Sequence, residues 1–481
     1  MKPMNLLVLC VDQQSTKHLG CYGSKVVKTP NVDRLATRGT RFNNTYTPSP
    51  ICVPARAAMA TGRYVHQTGC WDNAHPYHGQ VESWAHILRK AGHRVVSIGK
   101  LHYRNEADDA GFDEQIMPMH VARNGGDIKS LLRNPLPGGK ERSKLAEQLT
   151  PGGSSKTSYD SQVTQRTCRW LQEVGVKQDK PWVLFMSQVS PHPPLTAPSE
   201  FFNLYSDADI EPIKPAAGSL HPWIQQFRNT RNDDDFFTDE TRILALRNYY
   251  GLCSFADYNI GLVLKALQTS GQMENTRIIY TSDHGDNLGA RTLWSKCDMY
   301  EEAARVPMIL AGPGVPSGSV CTTPTSLVDL YPTVLEAVGI DPKAHEVNPR
   351  SKSLWRCAVV DDNPDRVVFS EYHAAASPSA SYMIRKGRYK YIHYVGYEPE
   401  LFDLISDPGE LENLAGNPQY EGVRTELEAE LRKICHPEEQ DRRAKARQQD
   451  TVEQFGGRAA VEQMGWLQGT PVPGEEADPW R

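Results

Sequence analysis

The sequence predicts an α/β protein in which helices flank a mostly parallel central sheet. Short apolar runs recur along the chain, a polar cluster follows each of them, and helical patterns lie between them. Parallel strands need crossover connections and are buried on both faces, so this alternation favours a sheet covered by helices on both sides. The apolar runs are Leu6–Val11, Arg94–Ile98, Trp182–Met186, Arg277–Tyr280 and Met308–Leu310.

Three helical patterns support this alternation. One helix should begin at Thr29-Pro30 and stop at Gly39, because Thr caps helices, Pro suits the first turn and Gly ends them. A second runs through Trp84 to Ala91 with apolar residues at helical spacing and stops at Gly92. A third is long, from Ile243 to Leu267, and Gly251 is the position at which it could bend.

Past Asp361 the sequence pattern changes to short predicted strands separated by turns, which predicts a second, smaller unit. The 481 residues are expected to form a catalytic domain (1–360), an antiparallel α+β subdomain (361–435) and a C-terminal tail (436–481). The tail is charged and then rich in Gly and Pro, and we expect it to pack on a neighbour or to stay loose. The subdomain is predicted from short strands at Val367–Tyr372, Tyr382–Arg385 and Tyr389–Tyr394 and from an amphipathic helix at Glu421–Ile434.

Composition excludes several classes of partner. The formal net charge of -5 gives no basic footprint for nucleic acid and no polybasic membrane patch. No apolar run approaches a membrane span, and the N-terminal run ends in an acid rather than in a cleavage site. The ten cysteines include no CxxC pair, which suggests reduced thiols. We therefore expect a cytoplasmic homo-oligomer that acts on a small molecule.

Polar residues follow four of the predicted strands. In open α/β sheets ligands bind outside the carboxyl ends of the strands, so these side chains should converge on one edge. Taken singly, each acid or His is better explained as a loop cap, and Ser282–Asp286 as a turn with an Asx cap. Taken together they favour a site. The residues are Asp12, Lys100, His102, His192, Asp283 and His284.

Three of these residues suit a divalent cation. Asp12 and Asp283 offer carboxylate oxygens, which hard ions prefer, and His284 adds an imidazole. The mixed set leaves Ca²⁺ and Mn²⁺ open.

The sharpest motif is Cys52-Val-Pro-Ala-Arg56, followed by Thr61-Gly-Arg63. Pro54 fits the first turn of a helix, so Cys52 would lie at a helix N-terminus, where free backbone N–H groups favour anions. Arg56 would place a fixed cation at the same point. A half-buried Cys before a helix is the simpler interpretation, but it leaves the register of Cys, Pro and Arg unexplained.

Cys-X-Pro-X-Arg followed by Thr-Gly resembles the signature of the sulfatase family, in which a formylglycine-generating enzyme oxidises the Cys to formylglycine. The resemblance extends to about residue 435. It implies an alkaline phosphatase-like αβα sandwich and hydrolysis of sulfuric esters. Further resembling segments are Asn5–Gln13, Gly99–His102, Ser190–Pro194, Thr281–Gly285, Lys296 and Tyr382–Ala415.

Some residues of this chain differ from those that are commonest in the sulfatase family, and they indicate which branches of the family it resembles. Gln13, Asn73 and His284 look like the choline-sulfatase and phosphonate monoester hydrolase branches of the family. The phosphonate branch tends to replace the Lys and His of the Lys-X-His segment. Because this chain keeps Lys100 and His102, we favour sulfate monoesters as substrates.

The resemblance also implies roles for individual residues. In the hydrated formylglycine one hydroxyl attacks sulfur, and deprotonation of the other, assigned to His102, collapses the hemiacetal and expels sulfate. His192 and Lys296 would serve the leaving oxygen, while Lys100, Arg56 and the cation offset sulfuryl charge. The expected metal ligands are Asp12, Cys52 as formylglycine, Asp283 and His284, and the expected substrate-binding residues are Gln13 and Asn73.

Two alternatives stay open from the sequence. A phosphonate monoester or phosphodiester hydrolase could use the same nucleophile, because phosphoryl and sulfuryl groups share a tetrahedral shape. A non-catalytic anion- or metal-binding protein with an unmodified Cys52 is the alternative from a different class.

Overall fold

The computed structural model describes residues 2–216, 218–346, 348–359, 363–465, 467 and 469–475. The strands are β1 (Asn5–Asp12), β2 (Gly39–Phe42), β3 (Thr45–Tyr46), β4 (Val95–Lys100), β5 (Glu114–Met119), β6 (Val183–Pro191), β7 (Thr276–Ser282), β8 (Arg305–Val306), β9 (Met308–Ala311), β10 (Ser319–Cys321), β11 (Thr325–Ser326), β12 (Val368–Tyr372), β13 (Ser381–Lys386), β14 (Tyr389–Tyr394) and β15 (Glu400–Asp403).

The α-helices alternate with these strands in the first three quarters of the chain. They are α1 (Pro30–Thr37), α2 (Cys52–Thr61), α3 (Val65–Thr68), α4 (Trp84–Lys90), α5 (Lys144–Glu147), α6 (Ser155–Glu173), α7 (Ser199–Phe202), α8 (Pro222–Arg231), α9 (Asp239–Thr269), α10 (Glu301–Ala304), α11 (Leu330–Ala337), α12 (Leu354–Cys357), α13 (Glu421–Arg432), α14 (Pro437–Gln454) and α15 (Gly457–Gln463).

The central sheet has eight strands in the order β10-β2-β9-β7-β1-β6-β4-β5. β1 lies between β6 and β7 and runs parallel to both. β9 pairs antiparallel with β2 and with β7, so the prediction of a mostly parallel sheet is confirmed with one reversed strand. The sequence does not reveal this reversal, because a strand buried on both faces is a continuous apolar run in either direction.

Helices cover both faces of the sheet, and β1 shows why its sequence is apolar throughout. Leu6 and Val8 pack in the core beneath α2, α4 and α11. Leu7 and Leu9 point to the opposite face and pack against α1, α6 and α9. Successive strand residues point to opposite faces, so a strand between two helical layers has no polar face.

Some elements differ from the sequence-based expectation. The long helix α9 runs without interruption from Asp239 to Thr269, and Gly251 serves a close approach rather than a bend. A Cβ at Gly251 would lie 2.7 Å from the Cβ of Ala197, so only glycine lets α9 approach this segment. The edge strand β5 and the small sheet β11-β3-β8 were not predicted, since they are partly exposed or only two residues long.

The C-terminal sheet is antiparallel, with strands in the order β12-β13-β14-β15. α13 packs on it through Leu427 and Leu431, so the predicted antiparallel subdomain with its amphipathic helix is confirmed. β15 adds a fourth strand that the sequence did not indicate. The predicted domain boundary at 360–361 lies outside the described residues, and the three domain limits stay predictions.

The segment from residue 436 to residue 465 is folded and does not form a loose tail. It forms α14 and α15, which bury Ala444, Val452 and Val461 against the same chain. Gln448 Nε2 on α14 donates hydrogen bonds to Asp72 Oδ2 (2.9 Å) and to the His373 carbonyl (2.7 Å). The hydropathy of the sequence did not predict this packing, because much of the buried face of α14 is polar. Its polar side chains are hydrogen-bonded only in the folded chain.

The structure also describes the state of the cysteines and the apolarity of the helices. All ten cysteines fall within the described ranges, and each is a free thiol. None of the helices in those ranges has the length and apolarity needed to cross a membrane.

Gly99 allows β4 to approach β6 beside the candidate site. It has a φ of +99°, and a Cβ there would lie 2.1 Å from the Ser187 carbonyl oxygen. Gly99→Ala should lower the free energy of unfolding by about 3 kcal/mol, from left-handed strain plus overpacking. Gly271→Ala is the matched control, since it shares a positive φ (+74°) but meets no atom within 4 Å. Equal losses in the two variants, measured by denaturant unfolding, would contradict the close approach.

Candidate active site

The ends of four neighbouring parallel strands meet at one edge of the central sheet. β1 ends at Asp12 and β4 ends at Lys100. β6 ends immediately before His192, and β7 ends immediately before Asp283. The structure therefore brings the polar strand-end residues together, as the sequence predicted from the carboxyl-edge rule.

Asp12, Cys52, Asp283 and His284 form one buried cluster at this edge. One potential ligand atom from each lies within 4.8 Å of the others. His284 Nε2 lies 3.0 Å from Cys52 Sγ, 3.7 Å from Asp283 Oδ1 and 3.8 Å from Asp12 Oδ1. Two carboxylates and an imidazole nitrogen at this spacing fit a divalent cation.

The surroundings of His284 orient it for such a cation. Its Nδ1 lies 3.0 Å from the Gly285 carbonyl, which can only accept, so Nδ1 carries the proton. Nε2 is then left with its lone pair toward the cluster, as in metal-binding histidines held by a backbone carbonyl. Burial lowers the pKa of His284, but Asp283 and Cys52 raise it overall, so these two neighbours attract a positive charge to the imidazole.

Arg56 holds the two carboxylates of the cluster. Its Nε donates to Asp283 Oδ2 (2.8 Å), its Nη2 to Asp12 Oδ2 (3.3 Å) and its Nη1 to the Lys100 carbonyl (2.8 Å). The guanidinium does not line the cavity described below. Arg56 therefore positions the two carboxylates, and its predicted role in offsetting sulfuryl charge stays a prediction.

Cys52 is the first residue of α2, where the unpaired backbone N–H groups of a helix face an anion. Asn73 Oδ1 accepts one of them, from Val53 N at 3.2 Å. Burial and Asp12 oppose ionisation of the thiol, but Lys296, Lys100 and His284 together lower the pKa of Cys52 below its usual value. Position 52 is therefore arranged to carry negative charge.

Two lysines flank position 52. Lys100 Nζ lies 2.5 Å from Asp12 Oδ2. Lys296 Nζ donates to Gln13 Oε1, and although burial lowers the pKa of Lys296, Cys52 and Asp12 raise it overall. Gln13 also donates from Nε2 to Asp286 Oδ2 (2.5 Å) and from its backbone N to Asp283 Oδ1 (3.2 Å), and it does not line the cavity. Its predicted hydrogen bond to the sulfate or to the metal shell stays a prediction.

The two candidate catalytic histidines are neutral. Burial, followed by the positive charge of Lys100, holds the pKa of His102 well below its usual range. Burial and Lys296 do the same for His192, whose Nδ1 lies 2.7 Å from the Pro193 carbonyl and so carries the proton. His102 Nε2 lies 2.7 Å from Thr470 Oγ1 in the C-terminal segment.

A cavity of about 210 Å³ opens onto these groups. Cys52, Asn73, Lys100, His102, His192 and Lys296 all line it, as do residues that the sequence did not single out. Lys140 follows a Gly- and Pro-rich stretch of the sequence, and Lys156 lies in the first turn of α6. Nothing in the sequence pointed to Thr470.

The chain matches known proteins over most of its length. The family description Sulfatase matches residues 4–340, and the description N-sulphoglucosamine sulphohydrolase, C-terminal, matches residues 289–436. The chain is 33% identical over 435 residues to choline-sulfatase of Rhizobium meliloti (strain 1021), covering 86% of this chain and 83% of that protein. It is 31% identical over 436 residues to arylsulfatase K of Danio rerio, covering 86% and 80%.

A solved structure supports the fold. The phosphonate monoester hydrolase of Agrobacterium radiobacter superposes with a TM-score of 0.73 at 22% identity, over 90% of this chain and 95% of that chain. At this identity the likeness concerns the fold alone.

The architecture, the site and the family matches together define the class of this protein. The protein is a hydrolase with the alkaline phosphatase-like fold that the resemblance implied. The chain belongs to the sulfatase family and is a sulfuric ester hydrolase. Both family matches end by residue 436, so α14, α15 and Thr470 lie outside them.

Proposed function

We propose that this protein cleaves sulfate monoesters of small molecules through a formylglycine formed from Cys52, with one divalent cation, Ca²⁺ or Mn²⁺. The observation that carries the proposal is the position of Cys52. Its Sγ lies in the cation-type cluster, 3.0 Å from His284 Nε2 and 3.9 Å from Asp12 Oδ1, and the residue also lines the cavity. The sulfur stands where the formylglycine oxygens would lie.

The chemistry of the modified residue and the cation explains this placement. Once Cys52 is converted to hydrated formylglycine, one hydroxyl would attack sulfur and displace the alcohol, and deprotonation of the second would restore the aldehyde and release sulfate. A cation held by Asp12, Asp283 and His284 supplies Lewis acidity at the same point. Arg56 keeps the two carboxylates in place, because it bonds to both.

The residues around position 52 have separate roles in charge stabilisation and proton transfer. Lys100 and Lys296 face the sulfuryl oxygens and offset the charge that develops there. His192, which lines the cavity, serves the leaving oxygen together with Lys296. His102 is neutral and takes the proton of the second hydroxyl, as a general base must be unprotonated before it acts. Asn73 orients the start of α2 and reaches the sulfate from the cavity wall.

Maturation by a formylglycine-generating enzyme belongs to the same proposal, since the Cys-X-Pro-X-Arg register is intact at Cys52–Arg56. A cytoplasmic location and a homo-oligomeric state stay predictions from the sequence.

A substrate panel tests the proposed function. Esters that share one leaving group but carry sulfate, phosphonate or phosphodiester should be compared by kcat/KM. We expect the sulfate monoester to be hydrolysed fastest, because Lys100 and His102 are both present in the cavity. Lys100→Ala should reduce sulfate ester turnover by about 10²-fold, the usual effect of removing one charge-stabilising group. A phosphonate ester hydrolysed faster than every sulfate ester would overturn the substrate assignment.

A further inference from the structure

The active-site cavity carries more positive charge than attack on a sulfate ester requires. Lys100 and Lys296 flank position 52, and four further basic side chains line the same cavity. Among the described lining residues only Asp127 and Asp233 are acidic. The four additional basic residues are Lys140, Lys144, Lys156 and Arg231.

Three of these side chains, Lys140, Lys156 and Arg231, have few carboxylate partners among the described residues. Lys140 Nζ lies 2.6 Å from Asp233 Oδ1, and Arg231 Nε lies 3.9 Å from Asp233 Oδ2, so two cations share one carboxylate. Arg231 Nε is buried and has no hydrogen-bond partner. Lys156 Nζ donates to the Pro193 carbonyl (3.0 Å), which is a neutral acceptor.

Burial and neighbouring positive charge lower the pKa of two of these lysines, while for Arg231 burial is outweighed by Asp233 and other neighbours, which raise its pKa overall. Burial, followed by the charge of Arg231, lowers the pKa of Lys140 to about 8. Burial, followed by the charge of Lys100, lowers the pKa of Lys156 to about 8. An anion bound between them would favour the charged forms and raise both pKa values.

The cavity is poorly suited to a cationic or aromatic alcohol. None of the lining residues that the structure describes is Phe, Tyr or Trp. A quaternary ammonium group is normally held by aromatic faces, and an aryl group is normally stacked on one. Here the lining beyond the catalytic residues is mostly basic, polar or aliphatic.

We infer that the alcohol part of the substrate carries a second anionic group, a carboxylate or a further sulfate, which Lys140, Lys156 and Arg231 bind. This inference rests on the proposed hydrolysis of sulfate esters and specifies the substrate class of that site. Arginine binds either anion through paired N–H groups, and the lysines add point charges.

Matched substrates test it on the metal-loaded, mature enzyme. The sulfate ester of a short hydroxy acid should be compared with the ester of its uncharged methyl amide, with a disulfate of similar length and with choline sulfate. We expect kcat/KM for at least one dianionic ester to exceed that of the amide and of choline sulfate by about 10-fold or more, the effect of one charge-assisted hydrogen bond. This preference should shrink as ionic strength rises.

Substitutions of the basic residues test whether they cause the preference for a dianionic ester. Lys156→Gln and Arg231→Gln should each lower the ratio of kcat/KM for the preferred dianionic ester to that for the amide by about 10-fold. Lys177→Gln is the matched control, since the exposed Lys177 lies outside the cavity and its loss should leave the ratio unchanged. If the amide or choline sulfate is hydrolysed at least as fast as both dianionic esters, the inference is wrong while the proposed function stands. If no sulfate ester is hydrolysed, both fail.

Discussion

Cys52→Ser should end catalytic turnover while leaving the fold intact, with kcat reduced by about 10³-fold or more. Serine is nearly isosteric with cysteine and would occupy the same place at the start of α2, where Cys52 Sγ lies 3.0 Å from His284 Nε2. Its single hydroxyl can accept the sulfuryl group from an ester. It has no second hydroxyl whose deprotonation would expel sulfate, so the covalent intermediate should persist.

This outcome has a kinetic signature. Alcohol release should show an initial burst of no more than one equivalent per active site and then stop, and intact-protein mass should show the added sulfuryl group. Cys168→Ser is the matched control, because this half-buried thiol of α6 lies outside the cavity. Sustained turnover by Cys52→Ser at the wild-type rate, or an unmodified Cys52 in fully active enzyme, would rule out the proposed nucleophile.

Removal of divalent cations should abolish activity and lower thermal stability together. Asp12, Asp283 and His284 are fully buried and crowd their ligand atoms within 4.8 Å. A cation that binds only the folded state stabilises it by mass action, so the melting temperature should rise with the concentration of Ca²⁺ or Mn²⁺. Activity should return over the same range of concentration.

Asp283→Asn provides the control for a specific site. The amide keeps the size of the side chain but loses a charged ligand, so the concentration of cation needed for half-maximal stabilisation should rise by about 10-fold or more. Full activity in exhaustively depleted protein would disprove the cation requirement. Stabilisation that is identical in Asp283→Asn and wild type would place the cation elsewhere.

The sequence was sufficient to predict those features of the fold and the site that depend on local patterns of residues. The run of β1 is apolar because helices cover both of its faces, and Asp12 marks its carboxyl end. The carboxyl-edge rule then predicted which polar residues would meet. The register of Cys52, Pro54 and Arg56 predicted a helix that begins at Cys52, and α2 does so.

Only the tertiary structure decided what each polar group bonds to. Arg56 lies four residues from Cys52 in α2, yet its partners are Asp12 at the end of β1 and Asp283 immediately after β7. Thr470 reaches His102 from the far end of the chain, and α14 packs through polar contacts that hydropathy does not register. Apolar burial is roughly additive along a sequence, whereas a hydrogen bond or an ion pair depends on the position of two distant atoms, which only the folded chain defines.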